Sequence, residues 1–191
     1  MRTIQVMLLV CALSLSAVAQ AQHDNSMQNP VIENIMTRAS VRSFTQQPVE
    51  QGRIDALLQA GMAAPTAMNT QPWHFVVVTD KDKLEVLQQY PSPLAIVVCG
   101  DTKKNEKFAV IDATLASENI LLAAHALGLG GIWTAVYPFD ERMRKVSSTL
   151  GLPDHLIPLN VIIIGYADKA SRAKDKFEKE NISYNTFGGK Q

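Results

Sequence analysis

Apolar positions along this chain change spacing several times, and each change marks an element. Val31, Ile32, Ile35 and Met36 fall on one side of a helix that Asn29 can cap and Pro30 can open. A second helix is predicted over residues 49–63, with Ile54, Leu57, Leu58 and Met62 on one stripe and Pro65 barring its continuation. "HFVVVT" reads as a strand, "KDKLEVLQQ" as a short charged helix and "LAIVVCG" as an apolar strand. The longest periodic run, residues 110–127, is rich in Ala and apolar on more than one side, which predicts a buried central helix. "IWTAVY" reads as a strand, residues 140–150 as a helix and "LNVIIIGYA" as a strand buried on both faces. Gly128, Gly130 and Gly131 lie after a helix and before a strand, the reverse of a dinucleotide-binding turn, and are expected to form a helix stop and a tight turn. The predicted fold class is α+β with four central strands.

Both ends of the chain depart from this pattern. Residues 1–21 carry a single Arg2, an apolar run from Val6 to Val18 and small residues at Ala17, Ala19 and Ala21, the layout of a cleaved export signal with a periplasmic or secreted destination. One arginine does not make a twin-arginine signal, and Val10 before Cys11 is a poor fit to a lipid-attachment site. Residues 22–29 form a polar lead-in, and residues 30–191 form one domain that ends in a charged arm too poor in aliphatics to pack alone. Loss of Arg2 with the signal changes 18 basic and 18 acidic residues to 17 and 18. Such a balance points to neither nucleic acid nor an anionic membrane as partner. Cys99 is then the sole thiol, set in an apolar strand as an inert core residue. The four histidines lack ligand spacing, and no metal site is expected.

Two short stretches carry the candidate chemistry. In "RASVR", Arg38, Ser40 and Arg42 alternate, so an extended backbone turns two guanidiniums and a hydroxyl to one side, a surface suited to a phosphate or a polar ring edge. In "APTAMNTQPW", Pro65 and Pro72 fix a loop on which Thr66, Asn69 and Gln71 offer donors and acceptors. "RASVRSF" followed at this separation by "AAPTAMNTQPWHFVVV", then "ENILLAAHALGLGGIWTAV", "LGLP" and "VIIIGYA", resembles the FMN-dependent nitroreductase family from about Val31 to Phe187.

That resemblance implies a nitroreductase-like fold, a mainly antiparallel sheet flanked by helices, in an intertwined homodimer with two FMN molecules at the interface. It implies that Pro65, Thr66 and Asn69 serve the neighbour's flavin, with Thr66 standing where many relatives have Ser. Arg38 and Ser40 match the positions that hold the ribityl phosphate, and Arg42 the basic position at the pyrimidine edge, where a fixed cation favours the reduced ring. Trp133 to Val136 match the strand end whose backbone amide bonds the ring nitrogen N5; sequence alone does not rank Thr134, Ala135 and Val136. Lys174 and Lys176 match two basic residues of the phosphate site, with Lys where relatives often have Arg. Tyr184 and Phe187 are placed to pin the arm across the other subunit. No catalytic side chain is implied, and Asp112, Glu118 and Asn119 read as polar contacts within the dimer core.

The activity implied is transfer of hydride or electrons from a donor such as NAD(P)H, through FMN, to a small organic acceptor such as a nitroaromatic or quinone. A non-enzymatic FMN carrier, and a reductive dehalogenase or dehydrogenase on the same fold, are the alternatives. A nicotinamide donor sits uneasily with an exported chain.

Overall fold

The structure, a computed structural model, describes residues 29–190. The expected export segment, and the lead-in before Asn29, lie outside them. Helix α1 spans Pro30–Thr37, with the Asn29 side chain accepting from the Val31 amide at 2.9 Å. Then follow α2 (Gln51–Met62), β1 (Trp73–Val78), α3 (Lys81–Leu87), β2 (Leu94–Asp101), α4 (Ala109–Ala126), β3 (Gly130–Ala135), α5 (Asp140–Leu150) and β4 (Leu156–Gly165). Asp80 caps α3 by accepting from the Lys83 amide at 3.0 Å, and Gly151 ends α5 in the left-handed conformation at φ 64°. Short 3-10 turns at Ala67–Asn69 and Lys179–Asn181 complete the regular elements among the described residues.

The strands form one sheet in the order β1-β2-β4-β3, with every neighbouring pair antiparallel. The central strands β2 and β4 are buried on both faces, as their unbroken apolar runs require. Ile96, Val98, Ile162 and Ile164 face α4 and α2, where they meet Ala113, Ala116, Ile120 and Leu57. Val97, Cys99, Val161 and Ile163 face the other way, toward Leu84 of α3 and Val146 of α5. The result is an α+β fold in three layers.

Two expectations about the glycines need correction. Gly128, at φ 73°, ends the central helix, but Gly130 and Gly131 lie within β3. They are glycines for lack of room: a methyl group on Gly130 would come within 2.8 Å of Val41, and one on Gly131 within 3.0 Å of Leu121. The apolar stripes also reach further than the described residues cover. Val31, Ile35 and Met36 of α1, and Ile111 and Leu115 of α4, are 64, 46, 59, 56 and 42% exposed.

Where β4 ends, Tyr166 donates to the Glu50 carboxylate at 2.6 Å and lies under the Arg53 guanidinium, 5.6 Å from its ring centre. Arg53 also donates to the Leu127 carbonyl, which ties α2 to the end of α4. The Tyr166 hydroxyl holds the Glu50 carboxyl below its usual range, and its own ionisation is raised by the same bond. The stability this pair adds is present between pH 4.5 and 10.0; it fades as pH falls below that window through Glu50 and as pH rises above it through Tyr166.

Burial pushes the Cys99 thiol up to about 12. In protein beginning at Gln22, a thiol reagent such as DTNB at pH 8 is expected to leave the native chain unmodified and to titrate one thiol after unfolding. Because the ionisation is raised in the folded state, the Cys99 contribution to stability is intact below pH 9.0 and declines as pH rises toward about 12, which urea titrations across that range would detect.

Candidate active site

Past α1 the chain is extended and docks on the start of β3. Ser40 pairs with Gly131 in a parallel bridge, and the Val41 amide donates to the Gly131 carbonyl at 3.1 Å. Val41 points inward and is 7% exposed, while Arg42 is exposed. The Arg38 side chain is 18% exposed and its Nε lies 3.4 Å from Glu118 Oε1 on α4. Arg38 lines a cavity of about 260 Å³ together with Thr37, His125, the helix stop at Gly128, Gly130 and Gly131 at the start of β3, and Ser171. His125 Nε2 and Thr37 Oγ1 are 2.9 Å apart on its wall. Ser40 and Arg42 are not part of this lining, so the alternating triad straddles its rim.

The loop after α2 is ordered by its own side chains. Thr66 Oγ1 accepts from the Gln71 amide at 3.2 Å, Asn69 Oδ1 accepts from Gln71 Nε2 at 3.2 Å, and Thr70 Oγ1 donates to the Ala67 carbonyl at 2.9 Å. Met68, Asn69 and Gln71 have φ of 55°, 55° and 47°, and none is glycine. Left-handed backbone at such residues costs on the order of 1–3 kcal/mol each and persists only where the surroundings impose it. Pro65 is exposed at the loop's entrance.

At the far end of β3, Thr134 Oγ1 donates to the Val161 carbonyl at 2.6 Å. Arg142 of α5 donates to the Ala135 carbonyl at 3.0 Å and stacks on Phe139, 4.5 Å from the ring centre. The Val136 amide is engaged by the Leu159 carbonyl at 3.1 Å, and the alternation of the antiparallel ladder turns the Thr134 amide to β4 as well, which leaves the Ala135 amide on the open edge of β3. Beneath Ala135, its register partner Asn160 is fully buried; its Nδ2 donates to Ser117 Oγ at 2.8 Å and its Oδ1 has no partner.

The arm leaves β4 beside this site. Phe44 bridges Ala167, and the Asp168 amide donates to the Ser43 carbonyl at 3.0 Å. From Lys169 on, nearly every residue is exposed, Lys174, Lys176 and Phe187 among them. Ser171 lies on the Arg38 cavity, three residues before Lys174 and five before Lys176, which are exposed and are not among its lining residues.

The structure therefore brings Arg38, Ser40, Arg42 and the root of the lysine arm to one end of β3, with Thr134 and Ala135 along the same strand. It does not join Pro65, Thr66 and Asn69 to them: among the described residues no hydrogen bond links the loop to residues 38–42. Two side chains took roles that spacing did not reveal. Glu118 pairs with Arg38, and Asp112 Oδ2 accepts from the Ala67 amide of the loop at 3.2 Å. Their acidic character in an Ala-rich helix was a signal, but without a direction. Among the described residues, no three His, Cys, Asp or Glu side chains cluster as metal ligands, and no helix is long and apolar enough to cross a membrane.

The sequence matches the Nitroreductase family over residues 35–98 and 89–166. It is 40% identical over 162 residues to a candidate NADH dehydrogenase/NAD(P)H nitroreductase of Methanothermobacter thermautotrophicus, covering 80% of this chain and 85% of that one. The fold is similar to the crystal structure of a Parabacteroides distasonis protein with the same description, at TM-score 0.80 and 43% identity, covering 83% of this chain and 99% of that one. It is also similar to an FMN-dependent nitroreductase from Clostridium difficile, at TM-score 0.76 and 31% identity, covering 82% and 99%.

The close approach at Gly130 gives a test of how residues 38–42 are held. Gly130→Ala is expected to push Val41 off β3 and to destabilise the protein by about 1–3 kcal/mol in urea unfolding, as overpacking does. Gly128→Ala, where a methyl group meets nothing within 4 Å, would carry only the penalty of its positive φ.

Proposed function

Because the chain belongs to the nitroreductase family, we propose how its own residues divide the labour of an FMN-dependent oxidoreductase. The protein is such an oxidoreductase, and FMN is its cofactor. Bound FMN supplies hydride transfer between an electron donor and an acceptor. Arg38 and Ser40, joined by Lys174 and Lys176 from the arm, would hold the phosphate, and Arg42 would lie at the pyrimidine edge of the ring. Of the strand-end residues Thr134 and Ala135, Ala135 would offer the backbone donor at the ring's reactive side. The observation that carries this assignment is the docking of residues 38–42 on β3, which puts the cationic segment and the strand end on one line of backbone.

The donor set suits a phosphate. Arg38 presents a fork of N–H groups in a cavity walled partly by the Gly128–Gly131 backbone. Its present partner does not bar the site: Glu118 is 48% exposed, and a pair this open is worth about 1 kcal/mol or less. A dianionic phosphate meeting Arg38 and two lysines outweighs it.

The loop's separation from residues 38–42 supports a site shared between two copies, in which Pro65, Thr66 and Asn69 serve the neighbour's flavin. The uncovered apolar faces of α1 and α4, and Phe177, Tyr184 and Phe187 on the arm, support a homodimer that buries them. The donor we assign is NAD(P)H and the acceptor a nitroaromatic or quinone. Export is proposed on residues 1–21 alone, and a nicotinamide donor stands against it; fractionation of cells making the full chain separates the two.

The decisive test is the visible spectrum of the purified protein before and after anaerobic NADH or NADPH. A flavin spectrum bleached by either nucleotide is expected; a chain that takes up no FMN would overturn the assignment, and one that binds FMN without bleaching would overturn the nicotinamide donor. Arg38→Ala and Arg42→Ala are each expected to weaken FMN binding by about 1.5–3 kcal/mol, the loss of a charge-assisted bond. Sharing is read from mixed dimers of Arg38→Ala with Asn69→Ala subunits: a shared site restores one tight FMN per dimer, whereas sites built within one subunit restore none.

A further inference from the structure

The loop that carries Thr66 and Asn69 holds a backbone its sequence does not favour, with three non-glycine residues at positive φ within four positions. Its internal hydrogen bonds tie it to itself but do not attach it to the fold. At its exit the Pro72 carbonyl accepts from the Asp101 amide of β2 at 2.9 Å; before that, attachment comes from the start of α4 and the turn preceding it. Lys104 Nζ donates to the Gln71 carbonyl at 3.2 Å, Asn105 Nδ2 donates to Thr70 Oγ1 at 3.2 Å, and Asp112 Oδ2 accepts from the Ala67 amide at 3.2 Å.

These three contacts are not equivalent. Lys104 is exposed and Asn105 half-buried, so water can replace either. Asp112 is 3% exposed and stands on a helix whose Ala109, Ala113 and Ala116 are fully buried against the sheet. An acceptor so placed cannot drift, and the Ala67 amide that meets it opens the 3-10 turn in which Met68 and Asn69 turn left-handed. A buried carboxylate is costly to keep unless it bonds something, and here its bond fixes the loop.

We propose that Asp112 is a positioning residue of the flavin site: through the Ala67 amide it holds residues 66–69 in the left-handed turn that presents Thr66 and Asn69. This rests on the reading of that loop as part of the FMN site. The same helix carries Glu118 against Arg38, one and two-thirds turns further on, so one rigid element fixes parts of both halves of the site.

The test measures FMN affinity by flavin fluorescence quenching on the whole apo-protein, with thermal unfolding and circular dichroism as fold controls. Asp112→Ala is expected to bind FMN about tenfold more weakly, as when the competent loop conformer falls to a tenth of the population. Asp112→Asn, which keeps an acceptor oxygen, is expected to bind nearly as the parent does. Met68 is 81% exposed, so Met68→Gly removes no core contact and relieves the positive φ. In that background the loss caused by Asp112→Ala is expected to shrink several-fold, a suppression that a merely structural acid would not show. If Asp112→Ala fails to fold, Asp112→Ser, too short to reach Ala67, takes its place. Unchanged FMN affinity on removing the carboxylate, a tenfold loss in Asp112→Asn, or no suppression by Met68→Gly would each overturn the role. A parent protein that binds no FMN would overturn the flavin site itself, whereas a parent that binds beside an equally competent Asp112→Ala sinks only Asp112.

Discussion

The fold depends on one condition: β2 and β4 are apolar on both faces and must be covered twice. A strand such as Leu156–Gly165, with nine of its ten positions buried, has no face to offer water. One cover is α4 backed by α2, the other is α3 with α5. Each buried aliphatic side chain contributes about 1.5–3 kcal/mol of burial, so neither cover is dispensable. The active-site elements are the edges and ends of this arrangement. Residues 38–42 dock on β3 at the sheet's border, the arm leaves from the end of β4, and the loop is the exit of α2.

Among the covering helices α4 has a special position because its sheet face is built of small residues. Ala109, Ala113, Ala116 and Ala124 are fully buried, and a methyl group on Gly100 of β2 would stand 2.9 Å from the Ala109 backbone. Helix and sheet thus approach closely and leave little slack. Rigidity on that side is what makes the polar residues on its other flanks useful, since an acid on a loosely packed helix would fix nothing. Ile111 and Leu115, turned away from the sheet, stay open among the described residues.

Much of this was readable in order of residues. Periodicity placed every α-helix and strand within a few positions, and placed α5 at residues 140–150 without error, because most elements have one or both faces in the core and the core imposes the period; α1, with no buried residue, was marked by Asn29 and Pro30 at its start. The extended run after α1 was also legible, but Arg38 caps that helix and lines a cavity that Ser40 and Arg42 do not, so the three side chains do not share one surface as their alternation suggested. The role of Gly130 was not: whether a glycine in "GLGG" frees a turn or makes room for Val41 depends on what lies across the gap, 89 positions away in the chain. Nor were the partners of Asp112 and Glu118. They sit six residues apart, about 120° around the helix, and a period tells that they leave the core face but not which loop or arginine comes to meet them. Asn160 is the extreme case, a polar residue inside an apolar strand run whose reason lies in a serine of the covering helix.

The exposed arm gives assembly a protective meaning. Asp168, bonded to Ser43, is the last side chain anchored to the body of the protein before Lys174 and Lys176. Lys169 and Arg172 stand in between, both exposed and both sites at which trypsin-like proteases cut. A single nick there would detach both lysines together with the aromatic end. On the assignment proposed above, a newly made subunit would carry two of its phosphate-holding cations on this exposed segment, and a second copy covering the arm would shield those charges from proteolysis.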